Sequence, residues 1–390
     1  FGAYGFDEIR LPIAERTELF ARAAGETSDI VEKQMYTFAD LDGASLTLRP
    51  EGTASVVRAY VEHGIHGREP VSKLYYLGPM FRRERPQKGR LRQFHQIGAE
   101  VIGREDPLAD AELMVWLADF FAAIGLRSYR LEINSLGCSD CRPAYRELLR
   151  AYGEARRDTL CPDCVRRLAT NPLRILDCKI DGPKLADAPV MVDHLDEACA
   201  RHFERVRAVL DAEGVGATLA PRMVRGLDYY CRTAFEVSAE GLGSQNAVGG
   251  GGRYDGLVAD LGGPKMAGVG FALGVERLVL ALHREAAVAK PDLFVAPLGT
   301  TAELRGFSLA RRLRALGLRV EIESGEKSLK SHMRRADRLA ARAVLIVGDD
   351  ELGRGVGILR DLDTKEQREV ILDAAAIRRA IPAAEQRREP

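Results

Sequence analysis

Residues 78–103 read GPMFRRERPQKGRLRQFHQIGAEVIG. Arg82, Arg83, Arg85, Lys88, Arg90 and Arg92 crowd the short segment 82–92 against a single acid, Glu84. Its centre, Pro86-Gln87-Lys88-Gly89, continues neither a strand nor a helix, because proline lacks the amide donor and glycine favours a turn. The flanks, KLYYL at 73–77 and QFHQIGAEVI at 93–102, carry β-branched and aromatic side chains that suit a pleated, half-buried surface. The stretch therefore reads as two strands joined by a basic loop. Cationic charge concentrated on a hairpin suits a polyphosphate. Composition leaves one alternative open, a charged edge hairpin that discourages strand-to-strand aggregation.

Outward from this hairpin, composition sets bounds. A chain of 390 residues exceeds one ordinary domain, and two or three are expected. With 57 basic and 57 acidic residues a uniformly basic coat is excluded, so any nucleic-acid contact is local. No apolar run is long enough to span a bilayer, and the start has none of the charged, apolar and small-residue zones of a signal peptide. Seven cysteines are too few, and odd in number, for a disulfide scaffold. A cytoplasmic protein without membrane or DNA partners is expected.

Phe-Arg-x-Glu, then a basic loop, then Arg90-x-x-x-Phe94 resembles motif 2 of the class II aminoacyl-tRNA synthetases, and the wording FRRERPQKGRLRQFHQIGAE is similar to the histidyl-tRNA synthetase family. The resemblance implies that Arg82 holds the α-phosphate of ATP. It implies that Glu84 accepts from the adenine amino group, that Phe94 stacks on the ring, and that the loop tip with Arg85 and Gln87 meets the acceptor end of a tRNA. Physics agrees with the residue types, since chemistry at phosphorus is mostly positioning and charge neutralisation.

The chain opens at Phe1 without an initiator methionine, and residues 7–12 read as a strand ending at Pro12. In the resembled family a long helix precedes that strand and the two build a dimer interface, so a homodimer is implied and an N-terminal portion is expected to be missing. Residues 15–24 have helical apolar spacing, and 25–42 look loop-like. SLTLRPEGT at 45–53 is a strand that stops at Pro50 and feeds a helix running to about His63. Glu51 and Thr53 thus sit at a strand-to-helix junction, where such residues commonly cap the helix. The match of LRPEGTA to the histidyl family implies instead that they hold the amino group of L-histidine.

Residues 106–125 form an amphipathic helix with Leu113, Trp116, Leu117, Phe120 and Phe121 on one face, a core-packing pattern. After a strand at 129–135, residues 138–214 are mostly helical in pattern and read as an insertion. Within it, Cys138-x-x-Cys141 and Cys161-x-x-Cys164 are spaced for a four-cysteine structural Zn²⁺ site, with Cys178 as a substitute ligand. Buried packing of the thiols is the alternative.

MVRGLDYYCRTAFE at 223–236 and AVGGGGRYDGL at 247–257 resemble the two histidine-specific motifs of the family. A neutral imidazole has one N–H and one bare nitrogen, so a selective pocket needs an acceptor and a donor. The resemblance implies Glu100 and Tyr230 for those roles, Gln96 and Arg225 on the carboxylate, and Tyr254 closing the pocket. GFALGVERL at 270–278 resembles motif 3 and implies Arg277 over the adenine and near the γ-phosphate; an arginine paired at a helix start is the plainer reading. From about 290 the pattern alternates strand and helix, as in a parallel or mixed sheet. Arg311, Arg312, Arg314, Lys327, Lys330, Arg334, Arg335, Arg338 and Arg342 gather there, either as a solvated face or as an RNA surface.

The expected fold class is α+β. A class II antiparallel sheet with helices takes residues 1–136 and 215–286, a helical insertion takes 137–214, and an α/β anticodon-binding domain takes 290–390. The resemblance implies ATP-dependent activation of L-histidine, with Mg²⁺ accompanying ATP, and transfer to histidine tRNA. An alternative is a non-aminoacylating regulatory subunit of histidine biosynthesis, which binds histidine without activating it. A generic ATP-binding module gives no account of VRGLDYY.

Overall fold

The computed structural model describes residues 1–25, 28, 30–242, 246–282, 289–325 and 327–381. It divides into two compact units, residues 1–284 and 285–390. Part of the sequence-predicted change of pattern near 286–291 lies outside the described residues, as does the end of the final domain beyond 381. No helix among the described residues is long and apolar enough to cross a membrane.

The basic stretch folds as a hairpin. Ser72–Phe81 and Gln93–Ile102 pair antiparallel from Ser72↔Ile102 to Phe81↔Gln93. They belong to an eight-stranded sheet whose spatial order is Asp7–Glu8, Ser72–Phe81, Gln93–Ile102, Gly268–Gly274, Ala247–Arg253, Cys231–Ala239, Tyr129–Ser135, Ala217–Leu219. The central strands are antiparallel to one another, and each edge strand joins in parallel. Successive side chains alternate across a strand, so Ala99 and Val101 enter one core while Gln96 and Glu100 face the other way. The first face is covered by helices Pro107–Ile124 and Glu197–Ala212, with Trp116, Leu117, Phe121, Phe203 and Leu210 buried against Phe235 and Phe271. Each such fully buried side chain contributes roughly 1.5–3 kcal/mol. The second face carries helices Thr17–Ala24 and Thr53–Glu62 and the buried tyrosines Tyr76, Tyr229, Tyr230 and Tyr254.

Three expectations for the first fifty residues need correction. The strand expected at 7–12 is only Asp7–Glu8. The helix expected from 15 starts at Thr17, because Ala14–Arg16 is a strand. The supposed loop contains the strand Tyr36–Ala39, which pairs with Ser45–Leu48, itself paired with Ala14–Arg16. The cause is turn chemistry. In Asp40-Leu-Asp-Gly43 the two aspartates accept from the backbone amides of Leu41 and Ala44 at 2.8 and 2.9 Å, which closes the hairpin. Thr47, fully buried, then ties its strand to the start of helix Thr17–Ala24 and to strand Tyr36–Ala39 through the hydroxyls of Thr17 and Thr37 at 2.9 and 3.0 Å.

Between Ser135 and Ala217 the described residues hold helices and turns and no strand. Helices Arg142–Glu154 and Pro162–Thr170 enclose a small core of Tyr145, Leu149, Leu168, Ile175 and Met191. The second unit is a five-stranded sheet in the order Val320–Ile322, Leu293–Leu298, Ala343–Gly348, Val356–Asp361, Gln367–Ile371. The first three strands are parallel and the last two antiparallel. Two of its cations are structural, since Arg314 donates to the Val320 carbonyl at 2.7 Å and Arg342 pairs with Asp292. Arg311, Arg312, Lys330, Arg334, Arg335 and Arg338 are exposed.

Candidate active site

A cavity of about 330 Å³ opens on the sheet's tyrosine-bearing face, at the mouth of the basic hairpin. Its wall includes Glu51, Thr53, Arg82, Glu84, Phe94, Gln96, Arg225, Tyr230 and Arg277. Residues as far apart in sequence as 51 and 277 thus meet because the central antiparallel strands lie side by side.

The junction before helix Thr53–Glu62 serves two purposes. The Glu51 carboxylate caps the helix, accepting from the amides of Thr53 and Ala54 at 2.6 and 3.0 Å, and it also lines the cavity. Burial pushes its pKa up against the pull of those amides and of Arg82. Arg82 donates to the Pro50 carbonyl at 2.9 Å and its guanidinium lies 5.2 Å from the centre of the Phe94 ring, a cation–π arrangement. Glu84 is gripped by Arg90 through both oxygens, which holds its carboxyl below the ordinary range despite burial. Arg277 donates to the carbonyls of Gly89 and Ala247 at 2.8 and 2.6 Å, so it anchors the hairpin loop to strand Ala247–Arg253. Burial lowers the guanidinium pKa of Arg82 and Arg277.

Arg225 pairs with Glu236 at 2.9 Å and lies 5.6 Å from the centre of the Tyr230 ring. It crosses directly over Gly250, where a Cβ would stand 2.6 Å from its terminal nitrogen. The glycine run therefore makes room for a guanidinium. Gln96 is buried with its amide oxygen lacking a hydrogen-bond partner, and the Tyr76 hydroxyl is in the same condition; both line the cavity. Buried polar atoms without partners are uncommon, and a polar ligand in the cavity satisfies them. Sequence reading passed over Tyr76, Tyr229, Glu236 and Glu276, all on the wall. The legible signal for Tyr76 was indirect, in Gly52 and Gly98: a Cβ on either would fall within 2.3 Å of the Tyr76 ring.

Glu100 and Tyr254 are not on the wall. Glu100 is fully buried behind it, with one oxygen accepting from Thr53 Oγ1 at 2.7 Å and the other from the Tyr254 hydroxyl at 2.6 Å. Burial raises its pKa to about 8, the two donors notwithstanding, and the nearby Glu51 adds to the rise. Unfolded, a glutamate titrates near 4.3. Between those values the folded chain holds a proton that the unfolded chain has released, so stability falls as pH rises through that window and the fall is complete above about 8. Glu100→Gln carries no titrating group and is expected to abolish this fall. Urea midpoints followed by the fluorescence of Trp116, the single tryptophan, buried in the core on the sheet's other face, should converge at pH 5 and diverge in the variant's favour by pH 8. Parallel pH profiles for the two proteins would place the Glu100 titration in the ordinary carboxylate range.

Arg85 and Gln87 lie exposed on the hairpin loop, facing a second depression that Lys33, Arg83 and Lys179 share. The four-cysteine site expected from Cys138, Cys141, Cys161 and Cys164 does not assemble. Cys138 and Cys141 gather instead with Asp196 and Cys199, and Cys161 and Cys164 with Cys178 and Asp181. The reason is that each Cys-x-x-Cys begins a different helix, and the helix lengths carry the two pairs to separate places.

A family model described as histidyl-tRNA synthetase matches residues 1–278, and one described as anticodon binding domain matches residues 292–377. The histidine–tRNA ligase of Geobacter metallireducens is 54% identical over 379 residues, covering 97% of this chain and 92% of that protein. The histidine–tRNA ligase of Trichlorobacter lovleyi is 55% identical over 383 residues, covering 98% and 91%. The crystal structure of apo histidyl-tRNA synthetase from S. aureus superposes with a TM-score of 0.80 at 39% identity, covering 97% of this chain and 92% of that one. Identity of this extent, over nearly the whole of each chain, leaves one conclusion: the chain belongs to the histidyl-tRNA synthetase family.

Proposed function

We propose that the chain activates L-histidine with ATP to histidyl-adenylate, releasing pyrophosphate, and transfers the histidyl group to the 3′ end of histidine tRNA. The observation that carries this reading is the convergence of Arg82, Arg225 and Arg277 with Glu51, Thr53 and Gln96 on one cavity. Three cations suit a triphosphate and a carboxylate, and an acid beside a hydroxyl suits an ammonium.

In this reading Arg82 takes the α-phosphate, Phe94 stacks on adenine, and Arg277 covers its other face toward the γ-phosphate. Glu84 accepts from the adenine amino group, in exchange for part of its pairing with Arg90. Gln96 and Arg225 hold the histidine carboxylate, and Glu51 and Thr53 its ammonium. Tyr230 and Glu100 bracket the imidazole. Glu100 becomes available when the Thr53 hydroxyl turns from it toward the substrate, with Tyr254 holding the second oxygen. Mg²⁺ enters as the ATP complex, whose phosphates supply ligands. The wall carboxylates Glu236 and Glu276 fit it chemically, although each now holds a protein partner, Arg225 and His95. Arg85 and Gln87 guide the tRNA acceptor end, and the exposed arginines at 311, 312, 334, 335 and 338 read the anticodon. Residues 1–136 and 215–286 form the catalytic domain, 137–214 its insertion, and 290–390 the anticodon-binding domain of a cytoplasmic homodimer.

Histidine-dependent exchange of pyrophosphate into ATP tests the reading. Exchange that requires histidine and no other amino acid is expected. Histidine binding without exchange would favour the regulatory-subunit alternative, against which the three wall arginines argue.

A further inference from the structure

We propose that the helical insertion holds two structural Zn²⁺ sites, each built from three cysteines and one aspartate. The first set is Cys138, Cys141, Cys199 and Asp196; the second is Cys161, Cys164, Cys178 and Asp181. Within each set the ligand atoms all lie within 4.8 Å of one another.

The sulfur separations fit the metal. A tetrahedron with Zn–S bonds of about 2.3 Å puts its sulfurs about 3.8 Å apart. In the first set Cys138 and Cys141 are 3.6 Å apart and Cys141 and Cys199 are 4.0 Å apart; in the second, Cys161 and Cys178 are 3.8 Å apart. A disulfide needs about 2.05 Å, so these sulfurs are spaced for sharing an ion. Each set also repeats one pattern, a Cys-x-x-Cys joined by a second pair at the same spacing, Asp196-x-x-Cys199 or Cys178-x-x-Asp181.

The surrounding hydrogen bonds orient the ligands. Asp196 caps helix Glu197–Ala212 with one oxygen, accepting from the Cys199 amide at 2.7 Å, and its other oxygen lies 3.0 Å from the Cys138 sulfur. Backbone amides of Cys138 and Asp140 point at the sulfurs of Cys141 and Cys138 at 3.1 and 3.3 Å, as amides do toward metal-bound thiolates. Asp181, wholly buried, accepts from the Cys161 amide at 2.8 Å and from Lys184 at 3.0 Å. Lys184 gives this buried carboxylate one counter-charge, and an ion shared with the three thiols adds a second.

The placement gives the metals a purpose. The first site joins the chain just after strand Tyr129–Ser135 to the start of helix Glu197–Ala212, so it clips together the two ends of the insertion. The second joins the start of helix Pro162–Thr170 to the turn at 178–181. Helices of 13 and 9 residues around a small core are marginal alone, and small folds commonly recruit a metal.

The full-length chain, purified under reducing conditions, decides the matter by elemental analysis. Two zinc per chain are expected, with Cys199→Ser and Cys178→Ser each retaining one and the double variant none. Cobalt in place of zinc should give the intense visible bands of tetrahedral thiolate sites in the wild type, which does not depend on any variant folding. Protein that stays folded with seven reduced thiols and no metal would overturn the proposal. So would intramolecular disulfides, or a single zinc that either variant removes, which would point to one shared site.

Discussion

Arg225→Ala is expected to slow histidyl-adenylate formation by about a hundredfold or more, with only modest changes in the apparent affinities for ATP and histidine. Arg225 lines the cavity together with Gln96, and the glycine floor at Gly250 lies against it. In the proposed reading one guanidinium reaches both a carboxylate and a phosphate, two anions that repel each other, and meets the charge that builds on phosphorus as they join. Such a group acts more on the transition state than on the bound ground state. Pre-steady-state adenylate formation should therefore fall sharply, while transfer from pre-formed histidyl-adenylate to tRNA, for which chemistry at the α-phosphate is over, should fall much less. Full exchange activity in the variant would remove Arg225 from the chemistry.

Asp110→Ala is expected to destabilise the first unit by about 3–5 kcal/mol. Asp110 and Arg253 are both fully buried and paired. The guanidinium also donates to the Arg104 carbonyl at 2.9 Å and to Asp255 at 3.1 Å, while His202 Nε2 lies 2.8 Å from Asp110. The cluster joins helix Pro107–Ile124, helix Glu197–Ala212 and the end of strand Ala247–Arg253, which fixes the returning end of the insertion to the sheet. Removing the aspartate leaves a buried cation without its main counter-charge. Burial raises the Asp110 pKa, but the His202 hydrogen bond and the Arg253 charge outweigh it, so the folded value is depressed. Its stabilisation is therefore present above the unfolded value of about 3.9 and is lost as pH falls through the folded value. Urea unfolding followed at Trp116, at pH 7 and pH 3, checks both statements. A loss below about 1 kcal/mol at pH 7 would mean that Asp255 and the carbonyls suffice for Arg253.

Much of this is legible in the sequence. The hairpin at 72–102 followed from a proline–glycine loop between two β-rich flanks, because those signals are local. The glycine run at 249–252 was legible as a place of close approach, but what approaches was not. That Arg225 fills the space over Gly250 depends on a loop and a strand 25 positions apart being folded onto each other. The short sheet near the start is not legible in residues 25–42, although Asp42-Gly43 is a hairpin signal, because Tyr36–Ala39 becomes a strand only by pairing with Ser45–Leu48.

The sequence by itself determined the family, the order of the motifs and the chemical types at the cavity, since these reside in residue identity and short spacing. Only the tertiary structure decided which residues share a shell. Thr53 and Gln96 reach the cavity whereas Glu100 lies behind it, held by Thr53 and Tyr254. Asp110 and Arg253, 143 positions apart, form one buried cluster, and two cysteine pairs that spacing joined into one site separate into two. In each case the cause is the same: spacing limits how near two residues can come along one element, while the packing of helices against a sheet sets which distant side chains meet and which are shielded from solvent.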